Sequence, residues 1–177
     1  MQAKESPQPL LLIDIDGVIS LFGFSAGERP EGAFHAIDGI PHFLSTAAAE
    51  NLLELVSVFD LVWCSGWEEK ADEYLPHLLG LPKGLPCLSF EHPVGGGATV
   101  ARAHGNAHWK IDAIDAHAGP ERPLAWIDDA FNDACHEWAA ARAGPTLLVR
   151  TAPETGLTRS ETVRLTEWAG SLARARG

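Results

Sequence analysis

The segment LLLIDIDGVIS, residues 10–20, puts two carboxylates, Asp14 and Asp16, one residue apart at the end of an apolar run. A carboxylate left alone in an apolar core is costly, so such a pair calls for an ammonium or a metal ion beside it. Three more places surprise in the same way: Ser65 in LVWCSGWEE, Lys110 in AHWKIDAI, and Asp128 with Asp129 in LAWIDDAF. Gathered together, these groups would hold a divalent cation and face an anion.

Each of them also has a plain structural reading. Asp16–Gly17 is a turn dipeptide. Ser65 with Glu68 fits the S-x-x-E capping box of a following helix. Asp128 and Asp129 could cap a helix near Phe131. Lys110 could be a solvated helix residue, although a cation in a first turn opposes the helix dipole by some tenths of a kcal/mol. Taken singly, the structural readings compete well; four coincidences in order along one chain favour a site.

The elements that must position these residues follow from apolar patterning. Five short apolar runs read as strands: 10–15, 60–64, 86–90, 124–127 and 146–149. Helical spacing links Ala48, Leu52, Leu55, Val56 and Phe59, and again Trp67, Ala71, Tyr74, Leu75 and Leu78. It recurs over Phe131–Ala139 and Leu165–Leu172, and a weaker helix begins near Trp109 with Ile111 and Ile114. Nearly continuous apolar strands alternating with helices predict an α/β fold. It is a doubly wound, Rossmann-like parallel sheet of about five strands with helices on both faces. Such a sheet gathers the carboxyl ends of its strands on one rim, where ligands bind. Two stretches break the rhythm. Residues 17–43, rich in Gly and aromatics, predict a short hairpin or flap, a minimal cap over the site, and His92–Gly105 reads as an irregular loop.

The chain has 177 residues, enough for one domain with a real core, expected over 10–177 after a flexible N-terminus of nine residues. Its 24 acidic against 13 basic residues give a formal net charge of −11. That balance argues against charge-driven binding to nucleic acid or anionic membrane, and suits a cation-binding protein. Cys64, Cys87 and Cys135 show neither a disulfide framework nor zinc spacing, which favours a reducing cytoplasm. No apolar run approaches the ~20 residues that span a bilayer.

In order, DIDGV, LVWCS, HWK and IDD resemble the four motifs of the haloacid dehalogenase-like (HAD) phosphatase superfamily. VWCSGWEEKA, the HWK segment, LAWIDDAF and the tail PTLLVRTAPETGLT are similar to a compact bacterial branch grouped with the HAD domain of Swiss Army Knife RNA repair proteins. The resemblance implies a phosphatase that uses Mg²⁺ and an aspartyl phosphate. Asp14 would be the nucleophile and Asp16 the general acid and base. Ser65, with the Gly66 amide, and Lys110 would bind the phosphoryl group. Asp14, the Asp16 carbonyl and Asp128 would hold the metal, with Asp129 a direct ligand or one step behind it. An Asp at the second motif position favours phosphatase over ATPase or dehalogenase chemistry. Lys83 comes too early in the chain to replace Lys110. Trp67 either lines the entrance or packs in the core, the latter being the commoner role at helical spacing. His108 reads as a surface residue or a neighbour of the site. The substrate is a phosphorylated molecule of unknown identity. A minimal cap suits a macromolecule, a nucleic-acid end among the candidates, although the net charge pulls against that. A nucleotidase, a small-metabolite phosphatase and a non-catalytic phosphate-binding relative are the alternatives. Oligomeric state is open.

Overall fold

A computed structural model describes residues 8–90 and 108–175. The 92–105 loop and most of the expected flexible N-terminus lie outside the described residues.

Strands β1 (Leu10–Ile13), β5 (Asp60–Trp63), β6 (Leu124–Asp128) and β7 (Thr146–Arg150) form a parallel sheet in the order β5-β1-β6-β7. The fifth expected strand, 86–90, is reduced to one parallel bridge between Cys87 and Trp63. Pro86 explains the truncation: it can accept from the Trp63 N–H, at 2.9 Å, but has no N–H to extend a ladder. With that bridge at the edge, the chain first builds outward from β1 on one side and then on the other. β1 and β6 flank the reversal, which is where such sheets place their ligands.

Successive strand residues point to opposite faces. Leu11, Ile13, Leu61, Trp63 and Ile127 pack on the side of α1 (Thr46–Leu53), α2 (Lys70–Leu79) and α5 (Arg159–Ala175). Leu10, Leu12, Val62, Leu124 and Trp126 pack on the side of α3 (Ile111–Ala118) and α4 (Asp133–Ala141). Every β1 side chain is buried, which is why its apolar run is continuous rather than alternating. Two helices start later than their spacing suggests. Trp67 lies in the turn before α2, and Phe131 lies before α4. The first helix stops at Leu53, and turns carry the chain on to Phe59. Among the described residues no helix is long and apolar enough to cross a membrane.

The segment between β1 and α1 folds as a three-stranded antiparallel sheet, β2 (Ser20–Leu21), β4 (Ile40–Ser45) and β3 (Gly32–Ile37), in the order β2-β4-β3. Asp38 and Gly39 join β3 to β4 with φ of 51° and 81°, the left-handed pair a two-residue hairpin turn requires. The Asp38 carboxylate accepts from Lys70 and, at 2.9 Å, from the Tyr74 hydroxyl, so the hairpin tip is fixed to α2. Ser45 ends β4 and caps α1, its Oγ accepting from the Ala48 N–H at 3.1 Å.

The loop after β7 locks onto the turn after β1. The Leu157 N–H donates to the Val18 carbonyl at 2.9 Å. Gly156 has φ of 66°, and a Cβ there would lie 2.4 Å from the same carbonyl oxygen. Gly156→Ala therefore combines a left-handed backbone with a backbone clash. It should lower unfolding free energy by about 2 kcal/mol or more. An unchanged urea midpoint would contradict the close approach.

Candidate active site

The register of the sheet brings the first polar residues together. Ile13 pairs with both Trp63 and Ile127. One step further on, the Asp14 N–H donates to the Ile127 carbonyl at 3.0 Å and the Cys64 N–H to the Ile13 carbonyl at 2.8 Å. Asp14, Ser65 and Asp128 therefore emerge at one rim, all three buried.

After Asp14 the chain makes one tight helical turn. The Ile15 carbonyl accepts from the N–H groups of Val18, Ile19 and Ser20 at 3.1, 2.8 and 2.9 Å. Gly17 makes this possible at φ 75°, and it also leaves room for Asp129, whose Cγ would lie 2.4 Å from a Cβ at position 17. Strand β1 stops at Ile13, so Asp14 and Asp16 do not share a strand face; the turn aims them separately.

Lys110 is the N-cap residue of α3, and its side chain is 3% exposed. Its Nζ lies 2.8 Å from Asp14 Oδ2 and 2.7 Å from Asp128 Oδ2. The Asp128 carboxylate also accepts from Trp126 Nε1 at 3.1 Å and from the Ala130 N–H at 2.9 Å. The Asp14 Oδ1 accepts from the Ile15 N–H at 2.8 Å. Burial pushes the Asp14 carboxyl up to about 6; Lys110 opposes the rise and Asp128 adds to it. For Lys110, burial works against the ammonium, but Asp14 and Asp128 outweigh it and the net direction is up. Burial, reinforced by Asp128, raises the Asp129 carboxyl.

One carboxylate oxygen from each of Asp14, Asp128 and Asp129 lies within 4.8 Å of the others. Two carboxylates on one ammonium, with a third beside them, leave an excess of negative charge. The donors are hard oxygens, as Mg²⁺ prefers, so the residues fit that ion. The Asp16 carboxylate stands apart from the trio. Its Oδ2 accepts from Trp67 Nε1 at 3.0 Å, and its Oδ1 lies 3.7 Å from His42 Nδ1.

The structural readings of these motifs lose ground. Helix α2 is capped at Glu69 rather than at Ser65, and the Glu68 carboxylate accepts from the Phe90 N–H at 2.8 Å. Ser65 Oγ meets the Trp67 N–H at a long 3.5 Å, with the exposed Gly66 between them. Helix α4 is capped by Asn132, which accepts from the Cys135 N–H at 3.1 Å, so neither Asp128 nor Asp129 caps it. Lys83 is exposed, in the loop beyond α2. His108 is half-buried between the rings of Trp109 and Trp126, and burial lowers its pKa.

Thr151, Arg150 and His42 escaped the motif reading, as did the N–H of Trp67, a residue considered there only for the entrance or the core. Thr151 Oγ1 donates to the Gly17 carbonyl at 2.8 Å, and its N–H to the Asp128 carbonyl at 3.1 Å, stitching the two acidic loops together. Arg150 donates to the carbonyls of Asp129, at 2.9 Å, and Phe131. Arg150 ends β7 and Thr151 follows it directly, so the strand-end argument that found the others points to them too. His42 and the indole N–H of Trp67 act across the hairpin, a pairing that carries no sequence signal.

Among solved structures, a hypothetical protein from Xanthomonas campestris aligns with 13% identity over 96% of this chain and 88% of its own, at a TM-score of 0.44, a likeness too loose to argue from. No curated protein matches. The family model for the HAD domain in Swiss Army Knife RNA repair proteins matches residues 10–162, the span from the first residue of β1 into α5. The chain belongs to that family, and this membership suggests phosphatase-type hydrolysis with Mg²⁺ as the usual metal.

Proposed function

We propose that the protein is a Mg²⁺-dependent phosphomonoester hydrolase working through an aspartyl phosphate. The observation that supports this most is the buried Asp14–Lys110–Asp128 cluster with Asp129 beside it, at the point where the sheet order reverses. A structural ion pair needs one carboxylate; this ammonium faces two, with a third close by.

Asp14, Asp128 and Asp129 would hold Mg²⁺, with the Asp16 carbonyl as a further oxygen, and the bound ion would neutralise and orient the phosphoryl group. The protein's own groups supply the remaining steps. An Asp14 carboxylate oxygen attacks phosphorus as the bond to the leaving oxygen breaks. Asp16 gives that oxygen its proton, then takes one from water. The water attacks the aspartyl phosphate, releasing inorganic phosphate and restoring Asp14. Lys110, the Ser65 hydroxyl and the Gly66 amide stabilise charge on the phosphoryl oxygens.

The Asp16 side chain is 51% exposed, which supports an accessible phosphate on a large substrate. The family name speaks of RNA repair, and a nucleic-acid end is therefore one candidate, against the pull of the −11 net charge. Closure by the hairpin over a nucleotide or small metabolite is the second reading. A panel of phosphomonoesters graded by size separates the two.

Asp14→Asn should abolish hydrolysis of an aryl phosphate in Mg²⁺ by at least about a thousandfold while the protein stays folded. Acid quenching of wild type should trap a phosphoryl group on the Asp14 peptide. Unchanged turnover in the variant would remove Asp14 as nucleophile.

The same variant carries a stability signature. In the folded metal-free protein the Asp14 carboxyl, at about 6, holds its proton more tightly than in the unfolded chain. Wild type therefore loses stability as pH rises from the unfolded value through about 6, a loss the Asn variant escapes. In chelator, the stability of Asp14→Asn relative to wild type should grow by about 1 kcal/mol between pH ~5 and pH ~7.5. Denaturant melts at the two pH values measure it, and a constant difference would contradict the burial cost.

A further inference from the structure

Resting on the reading of Asp16 as proton donor to the leaving group, we propose that Trp67 is its positioning residue, buttressed by His42 from the hairpin. Asp16 sits half-exposed on a tight turn, where a short side chain can occupy several rotamers. A general acid must reach within about 3 Å of the atom it protonates. The indole N–H takes Oδ2 at 3.0 Å and leaves Oδ1 as the oxygen that carries the proton.

The indole is itself held from two sides. It packs against the main core cluster, and the His42 ring meets it edge-on with centroids 4.7 Å apart at 68°. His42 is tied by Nδ1 to Ser20 Oγ at 3.1 Å. Its 3.7 Å approach to Asp16 Oδ1 is beyond hydrogen-bond range, so His42 acts through the indole rather than by a bond to the carboxylate. The hairpin cannot drift away easily, because Asp38 at its tip is bonded to Lys70 and Tyr74 on α2. Strand β4 thus carries a ring to the acid from a part of the chain with no role in phosphate binding. A Trp that served packing alone would have no need to aim its one polar atom at the Asp16 carboxylate.

Two esters and a fast reaction separate this role from a structural one. Para-nitrophenolate leaves without a proton, whereas the alkoxide of benzyl phosphate needs one. Single-turnover release of the leaving group in Mg²⁺ isolates the first step from hydrolysis of the phosphoenzyme. Trp67→Phe keeps an aromatic ring but removes the N–H together with part of the indole that packs on the core and His42. It should slow release from benzyl phosphate about tenfold or more, and from para-nitrophenyl phosphate less than about threefold. His42→Ala should show the same selectivity with a smaller ratio, and it carries the test if Trp67→Phe fails to fold. Equal losses on both esters, or none, would overturn the positioning role. Asp16→Asn is the control: it should lose the alkyl ester selectively and by more. If that variant also fails to discriminate, the donor assignment of Asp16 falls and the inference with it. If it discriminates and the Trp67 and His42 variants do not, the inference alone falls.

Discussion

The ammonium of Lys110, buried between Asp14 and Asp128, is the constraint around which the rim is built. Those two carboxylates leave adjacent strands and face each other where water is scarce, and without a cation between them one would have to stay protonated. Removing a partner from such a cluster costs about 3–5 kcal/mol. Placing a lysine at a helix N-terminus costs only some tenths. The larger effect decides, so α3 begins with the residue least suited to its dipole. The ammonium still leaves the set short of positive charge once Asp129 is counted, and that deficit is what a divalent cation would meet.

Holding the carboxylates at these separations requires loops that cannot relax apart. Thr151 bonds the backbone of both acidic loops, Arg150 grips the carbonyls beyond Asp128, and Gly17 lets Asp129 approach where a methyl group would block it. The Thr151 and Arg150 bonds all end on backbone carbonyls, so they fix the path of the chain without engaging the carboxylates themselves. The last strand and its following loop therefore belong to the acidic centre mechanically, although neither supplies a carboxylate.

Much of this was legible in the sequence because a buried parallel sheet writes its strands as apolar runs and its rim as the polar residues that interrupt them. Asp14, Ser65 and Asp128 stood out as violations of an apolar pattern, and burial of all three explains why the violation was informative. Lys110 stood out only as a misplaced charge. The failures have equally physical causes. Pro86 hid the loss of a strand behind a good apolar run, since periodicity does not register a missing N–H. The spacing that assigned Trp67 to a helix face described its packing and was blind to its N–H. His42 lies on an antiparallel strand whose register depends on the Asp38–Gly39 turn, so its meeting with Trp67 is a tertiary accident from the viewpoint of local pattern.

The place of the insertion in the chain carries its own logic. It begins directly after the turn that bears Asp16 and ends at the cap of α1, so both of its ends are tied to the core: the Ser45 N–H donates to the Ile19 carbonyl at 2.9 Å, and Ser45 caps the helix. A hairpin rooted this close to the acid has little freedom at its base, and Asp38 restrains its tip. Between these anchors His42, on the central strand β4 and tied to Ser20, meets Trp67. An insertion elsewhere along the rim would need a long reach, with the closure entropy that longer loops carry, to hold a ring against the same carboxylate. A short, doubly anchored hairpin can order a half-exposed acid without enclosing it, which is compatible with a small cap and an accessible site.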